Sequence, residues 1–94
     1  MKIVVTRHES LVEYLKEIKV IQDGDFQLIS HATLEDVEGK DIIGVLPISL
    51  ASHANTITEI PLNVPMELRG KELSIDDVRK YAGEIAVYKV LKLN

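Results

Sequence analysis

The sequence predicts a small α/β domain whose sheet is mainly parallel, with four or five strands and helices on both faces. Three observations predict it. Short, almost wholly apolar runs rich in β-branched residues alternate with amphipathic segments, as strands covered on both faces do. Helix-capping and turn residues separate the two kinds of segment. A length of 94 residues, 46% of them hydrophobic, supplies one modest core, so residues 1–94 are read as one domain. That core is aliphatic, because the chain has no tryptophan, three tyrosines and one phenylalanine.

The elements follow in order. Residues 2–6 are a first strand, apolar after Lys2. Ser10 offers a helix cap, and Leu11, Leu15 and Ile18 recur at helical spacing opposite Glu13, Lys16 and Glu17. Asp23-Gly24 marks a turn, and residues 26–30 form a second strand that ends at His31. Thr33 and Asp36 frame a short helical turn before Gly39. Residues 41–46 are a third strand. Pro47 stands where a first helical residue belongs, opening a helix to Asn55 that contains His53. Residues 59–64, interrupted by Pro61, read as an edge strand at best. Ser74 caps a helix with Asp76 and Asp77 in its first turn and Gly83 as its stop, and residues 84–93 form a long last strand. Strands that alternate with helices in this way give a Rossmann-like sheet.

Composition narrows the function. Eleven basic and 15 acidic side chains leave a net charge of −4 with no basic stripe, which argues against a grip on long DNA or RNA. The absence of cysteine removes disulfides and thiolate metal sites, and His8, His31 and His53 have no metal-ligand spacing, so no metal or cofactor is expected. No apolar run reaches membrane-spanning length, and the chain is expected to be cytoplasmic.

In a parallel sheet, ligands bind beyond the carboxyl ends of the strands. The residues expected there are Thr6, Arg7 and His8 after the first strand, His31 after the second, Leu46, Pro47 and Ser49 after the third, and Asn63 after the fourth. Arginine can grip a phosphate bidentately, and histidine can move a proton near neutral pH. Ser10 stands at the adjoining helix start, and Gly44 would let a ligand approach the third strand. Alone, the Thr6-Arg7-His8 triplet also fits a solvated loop, and Pro47 with Leu50-Ala51 also fits a plain helix start over core. Arg69 and Glu72, in a loop of mixed charge, matter only if that loop covers the strand ends.

Val5-Thr6-Arg7-His8, then Gly44-Val45-Leu46-Pro47 with Leu50-Ala51, then Leu68-Arg69-Gly70-Lys71-Glu72-Leu73 occur in this order along nearly the whole chain. With them the chain resembles the small Csx-type accessory proteins of type III CRISPR systems, whose motifs read VTRH, GxLPxxLA and RGxEL. More loosely, it is similar to viral anti-CRISPR ring nucleases. The match covers Thr6, Arg7, His8, Gly44, Leu46, Pro47, Arg69 and Glu72. It departs at Glu9, where the family often has proline, at Ser49, where asparagine is common, and at Ala32, where an acidic residue often follows the histidine.

The resemblance implies a domain related to the CARF sensors, usually dimeric, that binds the second messenger cyclic oligoadenylate and in some members cleaves it. The expected activity is therefore a metal-independent ring nuclease that linearises the messenger, cyclic tetra-adenylate above all. Arg7 would stabilise the phosphate and His8 would carry the proton. Thr6 and residues 46–49 would position the ring, while Arg69 and Glu72 would order a covering loop or touch the sugar. Two alternatives stand beside it: a protein that binds the messenger without cleaving it, and a small interaction module with no nucleotide ligand.

Overall fold

In the computed structural model five strands form one sheet in the order β2-β1-β3-β4-β5. It describes residues 2–94, so Met1, the first residue of the expected domain, lies outside them. The strands are β1 (Lys2–Val5), β2 (Phe26–Ile29), β3 (Asp41–Gly44), β4 (Thr56–Glu59) and β5 (Ala86–Tyr88). The first four run parallel, and β5 pairs antiparallel with β4. The expected α/β class with a mainly parallel sheet is what forms.

Alternation along the strands sends side chains to two faces. Ile3, Ile42 and Ile57 stand in register across β1, β3 and β4, and they bury against α2 (Leu34–Val37) and α3 (Ile48–Ala51) through Val37 and Ala51. Val4 and Ile43, one residue on, face α1 (Glu9–Glu17) and α4 (Ile75–Tyr81), where Leu11, Leu15 and Val78 meet them. Each such aliphatic side chain taken from water contributes about 1.5–3 kcal/mol, so two aliphatic layers hold the sheet without an aromatic core. Arg79 on α4 clasps α1 at its far end, donating from Nε and Nη2 to the two carboxylate oxygens of Glu17 at 2.9 and 2.5 Å.

Four expectations need correction. The first helix begins at Glu9 with His8 at the N-cap, so Ser10 is no cap; it is buried in the first turn, and among the described residues its hydroxyl has no partner. The helix after Pro47 lasts one turn, with Pro47 as its N-cap. His53 then lies in a turn, where its carbonyl accepts from the Gly39 amide and the Lys40 carbonyl accepts from Asn55, which brings the chain back to the sheet. The fourth strand starts earlier than expected and is internal, flanked by β3 and β5. Pro61 has no amide hydrogen to extend it, and Leu62 makes only an isolated bridge to Ala82. The last strand spans three residues rather than ten, and beyond Tyr88 the chain forms no regular element, leaving Leu91 and Leu93 exposed.

The start of β4 is set by Asp41 at the start of β3. Its Oδ1 accepts from Asn55 Nδ2 at 2.8 Å and from Thr56 Oγ1 at 2.7 Å. The Thr56 hydroxyl, followed by the Asn55 amide, holds the Asp41 carboxyl below its ordinary 3.8. A depressed folded value stabilises the fold above the ordinary pKa, and that stability is lost as acidification passes through the folded value. Because the group is exposed, the effect is modest. Melting curves from pH 7 to pH 3 should therefore converge for wild type and Asp41→Asn as the pH falls, with wild type the more stable at neutrality. Parallel curves would remove Asp41 from the acid response.

Candidate functional site

The chain reverses direction across the sheet at β1. From β1 it passes through α1 to β2 on one side, then returns through α2 to β3 on the other. Such a reversal leaves a crevice beyond the carboxyl ends of the two strands, here β1 and β3. Thr6, Arg7 and His8 leave β1 at this point.

Local hydrogen bonds fix that triplet. The Thr6 amide donates to Ile29 of β2 at 3.1 Å, and Thr6 Oγ1 accepts from the His8 amide at 3.1 Å. The His8 carbonyl accepts from Leu11, opening α1. A hydroxyl that bonds the backbone two residues on is a common turn device, so Thr6 shapes the loop that presents Arg7 and His8.

The second wall comes from the segment between β4 and α4. Asn63 and Gly83 donate their amides to Tyr81 and Pro61, which pins residues 61–63 to the end of α4. The chain then rises through a 3₁₀ turn, Met66–Leu68, and a left-handed Gly70, before Leu73 re-enters the core. Ser74 and Asp77 close a capping box: Asp77 donates its amide to Ser74 Oγ, and Ser74 donates its own to Asp77 Oδ2. Loop 65–73 is therefore anchored at both ends. It faces Arg7 and His8 across a cleft of about 740 Å³, with Arg69, Lys71 and Glu72 on its wall and Leu62 and Val64 also lining it.

Two smaller recesses adjoin this cleft. One, of about 370 Å³, runs from Thr6, Arg7 and His8 toward Leu28 and Ser30. The other, of about 190 Å³, is largely apolar and lies at the strand reversal among Thr6, His8, Gly44, Val45 and Leu62. His8 borders all three.

The cleft carries Arg7, Arg69 and Lys71 against the single carboxylate of Glu72, in a chain of net charge −4. Among the described residues none of these three cations forms an ion pair, whereas Arg79 is paired with Glu17 and Asp76. Arg7 Nη2 instead donates to His31 Nε2 at 2.6 Å. Arginine can only donate, so His31 accepts at Nε2 and holds its proton on Nδ1. The arrangement suits an anion with apolar parts, and its charge is available to a ligand. Among the described residues no group of three or more histidine, aspartate or glutamate side chains gathers in metal-binding proximity.

The family described as "Putative CRISPR-associated protein (Cas_VVA1548)" has a model that matches residues 3–91. The chain belongs to this family. No curated protein and no solved structure matches it significantly.

For this CRISPR-associated chain, the sequence-selected residues separate into groups. Thr6, Arg7, His8, Arg69 and Glu72 surround the connected recesses, and His31 joins them through Arg7. Ser10 does not line them, since its hydroxyl is buried. Leu46 packs against the core on the α2–α3 face. Ser49 lines a different recess, between α3 and the C-terminal tail, with His53 and Lys92. With α3 a single turn, the amides after Pro47 have no long helix dipole behind them. Asn63 is exposed, and its backbone serves the anchor to Tyr81. The residue passed over was Lys71, which stands inside the same motif as Arg69 and Glu72 and directly follows Gly70.

Gly44 lines the smallest recess, but its need for glycine is internal. It is buried at φ +139°, and a Cβ there would run into the backbone carbonyl of Val5. Steric overlap with backbone and a left-handed φ act together, so Gly44→Ala should cost about 2 kcal/mol or more in urea unfolding. Gly24→Ala, at φ +82° with no atom of the described residues within 4 Å of the added carbon, should cost about 1 kcal/mol. A smaller loss at Gly44 than at Gly24 would contradict the close approach of β1 and β3.

Proposed function

We propose that this chain is a ring nuclease that binds cyclic oligoadenylate, cyclic tetra-adenylate above all, and linearises it, thereby ending type III CRISPR signalling. The observation that carries the reading is the convergence of Arg7, His8, Arg69 and Glu72 on one cleft with unpaired cationic charge, beside an apolar recess. Membership of a CRISPR-associated family gives that chemistry its context.

The reaction balances without water or a metal. The ribose 2′-oxygen attacks the adjacent phosphorus in line, a new P–O2′ bond forms, and the P–O5′ bond breaks. The 2′-hydroxyl proton leaves to a base or solvent, and the departing 5′-oxygen takes a proton. The products are a 2′,3′-cyclic phosphate and a free 5′-hydroxyl. Arg7 stabilises charge on the phosphate, and His8 supplies the leaving-group proton. Arg69 and Lys71 hold neighbouring phosphates, Glu72 lies within reach of a ribose hydroxyl, and the recess beside Val45 and Leu62 receives a base.

A ring of four equal units has two-fold symmetry, so a dimer presenting two clefts would fit it. Val45, 72% exposed, puts an apolar margin beside the site, and Ile48, 78% exposed, continues it at the start of α3; a second copy would cover both. Light scattering should accordingly give twice 10.5 kDa with the messenger bound, and a monomer in its presence would remove the shared site.

Single-turnover cleavage and equilibrium binding of cyclic tetra-adenylate test the assignment. Arg7→Ala should weaken binding and slow cleavage together, by the equivalent of about 1.5–3 kcal/mol for a lost charge-assisted contact. His8→Ala should keep most of the binding while cleavage falls about 100-fold or more. Unchanged cleavage in His8→Ala would take histidine out of the chemistry. Tight binding by wild type with no cleavage would leave a protein that only sequesters the messenger.

A further inference from the structure

The contact between Arg7 and His31 joins two strand ends, β1 to β2, beside the recess of about 370 Å³ that Arg7 and Ser30 line. Its chemistry differs from the chain's other well-held arginine. Arg79 is held by the carboxylates of Glu17 and Asp76, which also neutralise it. Arg7 is held by an imidazole that accepts at Nε2 and carries no negative charge. A guanidinium has five N–H donors, and one of them serves His31, so four remain with the full positive charge.

We propose that His31 is the positioning residue of Arg7: a neutral acceptor that orients the guanidinium at the edge of the cleft without discharging it, so that the free N–H groups meet a phosphate. The proposal rests on the ring-nuclease reading for the identity of that phosphate, though the device would serve any phosphate-bearing ligand. A carboxylate in the place of His31 would orient Arg7 equally well, but it would compete with the ligand for the charge. A side chain with no acceptor would leave a long, exposed arginine to sample many rotamers, and binding would have to restore the order each time. His31 itself need not touch the ligand.

Two measurements on the full chain test this. In the imidazole nitrogen spectrum of the free protein, His31 should appear as the neutral tautomer with Nδ1 protonated and Nε2 bare. Arg7→Ala should abolish that preference. An unchanged His31 signal in Arg7→Ala would overturn the proposal whatever the ligand.

The second measurement titrates inorganic pyrophosphate and cyclic tetra-adenylate into wild type, His31→Ala, His31→Gln, His31→Glu, Arg7→Ala and the Arg7→Ala/His31→Ala double variant. His31→Ala should weaken pyrophosphate binding about ten-fold, and His31→Gln, whose amide oxygen can accept, should return it to within about two-fold of wild type. His31→Glu should bind more weakly than His31→Gln. In the Arg7→Ala background the loss of His31 should change affinity by no more than about two-fold, because the two residues act as one unit. Independent, multiplying losses, or failure of His31→Gln to restore binding, would overturn the proposal, as would wild type that binds neither probe. The expected pattern with pyrophosphate, but no affinity for cyclic tetra-adenylate, would keep His31 in this role and remove the messenger reading.

Discussion

The double parallel pairing of β1, with β2 on one side and β3 on the other, is the constraint on which the rest of the structure depends. It reverses the chain's course across the sheet and so leaves a crevice at the ends of β1 and β3. It forces Gly44, whose neighbour on β1 is the Val5 carbonyl. It also sets His31 of the β2 end within hydrogen-bonding distance of Arg7 at the β1 end. Without that pairing Arg7 and His31, 24 residues apart in the chain, would not meet.

Charge is distributed to match this architecture. The paired ions do structural work at the periphery: Arg79 with Glu17 and Asp76 joins α4 to α1, and Arg79 draws the Glu17 carboxyl below its ordinary value. Asp41 aligns two strands through hydrogen bonds to Asn55 and Thr56. Among the described residues, three cations without an ion pair, Arg7, Arg69 and Lys71, line the cleft instead. In a chain of net charge −4, three cations against the one carboxylate of Glu72 give the lining of the cleft a charge opposite in sign to that of the whole.

Much of this was legible in the sequence because its signals are local. The apolar runs of β1 and β3, the Thr33–Asp36 and Ser74–Asp77 capping pairs, and the placement of Arg7 and His8 at a strand end need only neighbouring residues to be read. Most of what differs from the sequence reading depends on distant partners. Thr56 becomes the start of a strand because Asp41, fifteen residues earlier, holds its hydroxyl. The alternating tail after Tyr88 looks like strand, yet no neighbouring strand continues to pair it. Ser10 has the chemistry of a cap, but Thr6 had already ordered the His8 amide two positions earlier. The role of His31 is likewise invisible until β2 is placed beside β1. Arg69 and Glu72 were recognisable as a motif, while only the anchoring of loop 65–73 brings them opposite Arg7.

On the function proposed above, the ligand lies at the reversal of the sheet and under loop 65–73. Amide shift mapping during titration with cyclic tetra-adenylate tests it most directly. The large shifts should fall on residues 6–10, on Gly44 and Val45, and on residues 68–73, with the recess between α3 and the C-terminal tail left unperturbed. Shifts centred instead on Ser49, His53 and Lys92, with the Arg7 and Arg69 amides unmoved, would contradict it.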